Sequence, residues 1–385
     1  MKIYNARINT MKPGEKLIEK GWVEIRNGKI LKVCPGSPHS VREDDIDADG
    51  QLMLPGFIDA HCHLGIIGNG VGFESDDCNE ETDPFMPHLR VLDAVNPFDF
   101  CFEEARRRGI TSVITSPGSA NAAGGEIIAI KTAGRRVDDM LIRQVGIKFA
   151  LGENPKYVYN DKGETPITRM ATAAIIREGL YKAKKYSEDV DAYKLDSEEN
   201  DLPEYDIKCE ALISLIKGEL KAQFHCHRAD DIFTAMRIAK EFDLDYTLIH
   251  ATEGHLVADI LAKENACAVV GPIFGDRCKP ELKLQDISNA AKLFDAGMHP
   301  AICTDHPETP IQYLPLTAAL AVRGGLPYDE ALRAITVYAA QISGISDRTG
   351  TIEVGKDADI QLYSGNPLDI MSSPSLVLIN GERAF

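Results

Sequence analysis

Two pairs of histidines, each separated by one cysteine, are the residues whose type and spacing point first to chemistry: His61-Cys62-His63 and His225-Cys226-His227. In an extended strand, residues i and i+2 leave from the same face. Each run can therefore present two imidazoles to one divalent ion while its cysteine turns away into packing. A single pair of this kind is more often solvated or hydrogen-bonded. Here the pattern recurs, because His250 and Asp305-His306 also close short apolar runs, and six of the ten histidines stand at expected strand ends. Such a set suits metal-assisted hydrolysis, in which a divalent ion lowers the pKa of water and a carboxylate takes its proton.

The elements that must position these groups follow a βα rhythm. Eight strand candidates can be counted: Gly56 to His61, Thr111 to Thr115, Val145 to Leu151, Val190 to Lys194, Ala222 to His225, Thr247 to His250, Ala268 to Val270 and Pro300 to Thr304. Segments of helical spacing lie between them, including Pro97 to Arg108 ahead of Gly109, and a stretch to Leu220 that Asp206 can cap. Eight such units predict an α/β fold, a (β/α)8 TIM-like barrel over residues 55–342 with its site at the C-terminal strand ends. Alternating apolar residues flank Asn27-Gly28, a preferred hairpin turn, and short strands recur around Gly355 to Tyr363 and Leu376 to Asn380. Residues 1–54 and 343–385 are thus expected to share a small β-sandwich domain.

Composition narrows the partners. Of 385 residues, 44% are hydrophobic and 26% charged, enough apolar content for a sizeable core. A net charge of -17 with no basic run excludes nucleic acid and anionic membranes as expected partners, leaving a small-molecule substrate; a homo-oligomer stays open. With no apolar run near the roughly 20 residues of a membrane span and no apolar signal core at the start, a cytoplasmic protein is expected. Nine cysteines without a CxxC pair read as reduced, packed thiols. The phosphate loop, the GxGxxG fingerprint, the GxSxG elbow and HExxH are all missing. Glycine-containing loops at Gly65 to Gly72 and Ser116 to Gly125 would let backbone approach a ligand or simply turn tightly, and the acidic stretch Glu74 to Asp83 reads as part of a loop covering the site.

Pro55-Gly-Phe-Ile-Asp-Ala-His-Cys-His63 resembles the opening signature of the amidohydrolase superfamily. Ile249-His-Ala251, Cys303-Thr-Asp-His-Pro307 and Gly350-Thr-Ile-Glu-Val-Gly-Lys-Asp-Ala-Asp359 extend the resemblance over nearly the whole chain. His225-Cys-His-Arg-Ala-Asp-Asp231 and the overall layout are most similar to the imidazolonepropionase-related branch. The resemblance implies His61 and His63 as the first ligand pair, His225 and His250 as the second, and Asp305 as both a ligand and the catalytic base and acid. It also implies a bridging group. Many members carboxylate a strand-four lysine, for which Lys194 is the candidate; others, such as N-acetylglucosamine-6-phosphate deacetylase, use a strand-three glutamate, which Gly152-Glu153-Asn154-Pro155 resembles. Glu153 is preferred, since a carboxylate needs no added carbon dioxide, and Lys148 is expected to face solvent. His227, Arg228 and His306 are candidates for substrate binding, although an ion pair with Asp230 or Asp231 accounts for Arg228 equally well.

Nitrogen ligands dominate the set, so one or two zinc ions are expected as cofactor. Deaminases of the superfamily carry a glutamate three positions after the strand-five histidine. Here that position is Arg228, which disfavours deamination and leaves amide, peptide-like or cyclic-amide hydrolysis. A lactonase or esterase on the same centre, or a metal-free scaffold, are the alternatives.

Overall fold

The computed structural model describes residues 1–68 and 72–385, so part of the Gly65 to Gly72 loop lies outside the described residues. The chain begins with β1 (Lys2–Ile8), β2 (Ile18–Arg26), β3 (Lys29–Pro35), β4 (Ile46–Asp47) and β5 (Leu52–Pro55). Asn27 and Gly28 join β2 to β3, both with positive φ, as a two-residue turn matching the strand twist demands. Next come β6 (Phe57–Cys62), β7 (Ile110–Thr115), β8 (Ala123–Lys131), β9 (Leu141–Ala150), β10 (Lys221–Cys226), β11 (Tyr246–His250), β12 (Cys267–Val270) and β13 (Ala301–Ile302). The chain closes with β14 (Ile360–Tyr363), β15 (Leu376–Ile379) and β16 (Glu382–Arg383).

Two sheets result. One runs β16-β15-β14-β5-β1-β2-β3 with β4 beside β1, and takes its strands from both ends of the chain. Ile3, Ile8, Val23 and Ile30 from one side share a core with Ile360, Leu362, Leu376 and Leu378 from the other, so the sheet folds over a common apolar centre. The second runs in chain order from β6 to β13 as a nearly closed barrel. Its seam is bridged at the C-terminal rim, where Asp305 N–H donates to the His61 carbonyl at 3.1 Å and His63 N–H to the His306 carbonyl at 2.9 Å.

Inside the barrel, Ile58, Ala60, Ile114, Ile127, Val145, Ile249, Val269 and Ala301 pack together, and Ala339, Ala340 and Ile342 join them. Outside it, Ile147, Phe149, Phe224 and Cys226 pack in a separate layer with helical residues such as Ile232 and Ile238. Both faces of these barrel strands are covered, and this sets the fate of their polar residues.

Seven of the eight expected barrel strands are present. The exception is Val190 to Lys194, which forms the last turns of the 27-residue helix Arg169–Leu195, whose start Thr168 caps by accepting the Ala171 N–H. The missing strand is β8, antiparallel to both β7 and β9. Its Gly124-Gly125 start reads in sequence as a loop, and a β7-β8-β9 meander needs no crossover helix. The barrel therefore departs from eight parallel βα units. The helix expected from Pro97 is shorter, Cys101–Arg107, and Asp206 caps only Ile207–Glu210 before the segment breaks. Lys131 at the end of β8 pairs with Asp357 at 3.0 Å and with Asp359, and Lys29 and Arg348 also reach Asp357, tying the barrel to the terminal sheet.

Candidate metal centre

The C-terminal ends of β6, β9, β10, β11 and β13 converge on one cleft of about 480 Å³, into which His63, His225, His227, His250 and Asp305 open. Alternation on β10 is regular: Phe224 and Cys226 pack outward, while Gln223 and His225 face in, with His227 just beyond. Two strand ends break regular geometry. His250 and Asp305 have φ of 71° and 56°, in the left-handed region that side chains with a Cβ enter at a cost of roughly 1 to 3 kcal/mol. Such strain persists where the surroundings dictate it, and here it falls on two of the converging groups.

The ligand atoms form two sets. Those of His61, His63 and Asp305 lie within 4.8 Å of one another, and so do those of His225, His227 and His250. Asp305 Oδ1 stands 3.3 Å from His63 Nε2 and 3.5 Å from His61 Nε2. Four rings are held from behind through Nδ1: His63 by the Ser116 carbonyl at 2.7 Å, His225 by Ser119 Oγ at 2.9 Å, His227 by Thr252 Oγ1 at 2.7 Å and His250 by the Gly271 carbonyl at 2.7 Å. Each thereby keeps Nε2 for the cleft, which is how histidines are oriented toward a metal. Asp59 joins the β6 and β13 ends, accepting from the His61 N–H at 3.3 Å, from the Thr304 N–H at 3.2 Å and from the Thr304 hydroxyl.

Burial, with the Lys148 ammonium adding to it, drives His61, His225 and His227 far below the ordinary imidazole range. His250 falls to about 4, again mainly by burial. These rings are neutral, with lone pairs free to ligate. Burial would raise the Asp305 carboxyl, but His250 and the His63 hydrogen bond outweigh it and keep the group ionised. His63 is the opposite case: burial lowers its basicity, yet Cys78 and Asp305 together push it up to about 10. Neutral nitrogens at His61, His225, His227 and His250 beside one ionised carboxylate fit a borderline-soft divalent ion such as zinc.

The bridging candidates fall differently from the sequence expectation. Lys194 is exposed, near the end of a long helix. Glu153 follows the fourth barrel strand rather than the third; it starts the helix Glu153–Lys162, and neither ligand set includes it. Lys148, expected to face solvent, is fully buried on β9 with Nζ 3.4 Å from His61 Nε2. Ile147 and Phe149 pack beneath the helices, so Lys148 points into the barrel, where burial lowers its ammonium to about 8. The correction is physical: this stretch of barrel strand has no solvent face.

Arg228 is half-buried and forms a bidentate pair with Asp230 at 2.8 and 2.9 Å, outside the cleft lining. His306 is buried, its Nδ1 accepting the Ile311 N–H at 3.1 Å, and does not line the cleft. Cys78, Asn79, Ser119, Thr252 and Lys279 do line it. Cys78 and Asn79 belong to the acidic stretch after β6, which does reach over the site. Ser119, Thr252 and Glu281 are not marked in the sequence, because hydroxyls and a loop carboxylate carry no spacing signal. For Lys148 a signal exists, in the apolar residues on either side of it.

Comparison with known proteins bears on the family and the fold. The amidohydrolase family pattern matches residues 52–383. The amidohydrolase tasK of Hapsidospora irregularis is 31% identical over 393 residues, which span 95% of this chain but only 40% of that longer protein. The imidazolonepropionase of Brucella anthropi is 25% identical over 402 residues, 93% of this chain and 91% of the relative. An amidohydrolase from Thermotoga maritima MSB8, known from its crystal structure, superposes with a TM-score of 0.94 at 38% identity, over 100% of this chain and 99% of that one.

Proposed function

Since the chain belongs to the amidohydrolase family, we propose that it is a metal-dependent hydrolase cleaving the C–N bond of an amide, peptide-like or cyclic-amide substrate. The observation that carries this reading is the pair of buried ligand sets opening into one cleft, with Nε2 atoms presented by rings fixed from behind. His61, His63 and Asp305 would hold one ion, and His225 with His250 a second. Residues 55–342 form the catalytic unit, supported by the sheet from 1–54 and 343–385. Nine cysteines without a CxxC pair suit a reducing cytoplasm.

When bound, zinc polarises the scissile carbonyl and makes water a competent nucleophile near neutral pH. The rest of the work falls to the protein. Asp305, ionised and beside both β6 histidines, accepts the proton of the attacking water and returns it to the leaving nitrogen. Ser116, Ser119, Thr252 and Gly271 fix the rings. In this reading Lys148 would join the two sets: its neutral amine would add to carbon dioxide, forming a C–N bond and losing one N–H proton to solvent, and the resulting carbamate would offer its oxygens to the ions. Support comes from its burial and from its influence on histidines of both sets.

Metal content by inductively coupled plasma mass spectrometry, with intact mass and turnover of N-acyl amino acids and dipeptides, tests this. Purified without chelator, the wild type should carry divalent metal and the added mass of one carbon dioxide. Lys148→Ala should lose that mass and weaken metal binding roughly 10- to 100-fold, the range for disturbed ligand shells, whereas Glu153→Ala keeps both. The reverse pattern would return the bridge to Glu153. A metal-free, inactive wild type would end the hydrolase reading.

A further inference from the structure

The loop after β12 brings a carboxylate to the strand-five side that no sequence motif announces. Glu281, in the short turn Pro280–Leu282, is 1% exposed. Its Oε2 accepts the Glu153 backbone N–H at 3.0 Å. That approach requires glycine at 152, where φ is 85° and a Cβ would meet Glu281 Oε2 at 2.7 Å. The glutamate singled out from sequence thus serves through its backbone, aiming a second glutamate.

The other oxygen, Oε1, faces His227 Nε2 at 3.6 Å and His225 Nε2 at 4.0 Å. Lys279 Nζ forms an ion pair with Oε1 at 3.2 Å and also donates to Asn154 Oδ1 at 2.9 Å. His225 Nε2 is buried without a hydrogen-bond partner, which costs roughly 1 to 3 kcal/mol if left so, and Glu281 Oε1 is buried with the Lys279 ammonium beside it but no geometric hydrogen bond. Among the described residues, nothing joins them. Ligands of a tetrahedral ion bound at 2.0 to 2.2 Å stand about 3.3 to 3.6 Å apart, so Glu281 already lies near ligand spacing from His227 and His225, while joining the set of His225, His227 and His250 requires the loop to draw in toward His250.

We propose that Glu281 and His227 join His225 and His250 as ligands of the second divalent ion. This rests on reading the cleft as a metal centre and adds two ligands to it. His227 then holds metal rather than substrate. The loop after β12 becomes part of the centre, so its order depends on that ion.

Cobalt(II) titration of the metal-stripped, full-length protein tests the proposal, following the visible ligand-field bands and the cobalt bound after dialysis. Wild type should bind two equivalents. Glu281→Gln and His227→Ala should each weaken the cobalt held at His225 and His250 about 10- to 100-fold and alter its bands, leave the ion at His61 and His63 in place, and combine in a double variant with less than the sum of their effects. Circular dichroism verifies folding; if Glu281→Gln fails to fold, Glu281→Asp should fold and give an intermediate weakening with shifted bands. Two equivalents with wild-type affinity and spectrum in Glu281→Gln would overturn the proposal, including the case where only KM for amine-bearing substrates rises. One equivalent in wild type, sensitive to His63→Ala, would overturn it while sparing the hydrolase reading. No cobalt bound at all would overturn both.

Discussion

The two His-Cys-His runs are nearly alike in sequence, yet the fold gives them different surroundings. His61 and His63 face the ionised Asp305 across the barrel seam, whereas His225 and His227 face His250 and the loop carboxylate of Glu281. The first pair is anchored through a backbone carbonyl and a strand-end aspartate; the second hangs on two hydroxyls, Ser119 and Thr252. One motif thus makes two half-sites of different basicity. In the first, Cys78 and Asp305 lift His63 to about 10; in the second, burial holds every ring neutral. Ligand type alone does not set a half-site's role.

The largest test of this asymmetry is Asp305→Asn. If proton transfer belongs to the first half alone, kcat should fall about 10³-fold, within the range for loss of a positioned acid or base. Cobalt at His225, His227 and His250 should stay, since Asp305 is not in that set. Stopped assays on a dipeptide library, paired with metal analysis, read both quantities. Turnover within tenfold of wild type would remove Asp305 from its role and the asymmetry with it.

Loading order against pH comes next in size. A metal must displace the proton from His63, whose affinity for it is raised, so binding at the first half strengthens as pH rises toward about 10. His250 is deprotonated above about 4, so the second half meets no such competition at pH 6. At pH 6 the first equivalent of cobalt should enter the second half and disappear in His225→Ala but not in His63→Ala. The first half should tighten by about tenfold per pH unit and release one proton per ion, measurable by calorimetry in buffers of differing ionisation enthalpy. Filling of the first half at pH 6 would invert the comparison.

Much of this is legible in the residues themselves. Strand-end histidines and Asp305 announce the convergence because polar groups that close one apolar run after another collect at the same rim once those runs lie side by side as parallel strands. The antiparallel β8 is hidden by its glycines, and the helical end at Val190 to Lys194 imitates a strand because five residues satisfy either period. Lys148 misleads because alternation usually opposes core to solvent, and in a barrel it opposes one interior to another. Glu281 lies beyond any such reading, since its place depends on a loop meeting the Gly152 backbone.

The hydroxyl anchors supply the finest test. Ser119 reaches His225 from the loop between β7 and β8, and Thr252 reaches His227 from just beyond β11. In the first half the corresponding anchor of His63 is a backbone carbonyl, so Ser119→Ala and Thr252→Ala should each weaken the ion of the second half by about tenfold, the lower end for groups orienting a ligand. The ion of the first half and the stability of the metal-free protein should be nearly unchanged, because a hydroxyl on a neutral ring contributes only about 1 kcal/mol net. Restoring the hydroxyl with Ser119→Thr should recover most of the lost affinity if orientation is the cause. Equal weakening of both equivalents would mean that the halves act as one unit, with Lys148 coupling them more strongly than their separate anchors divide them.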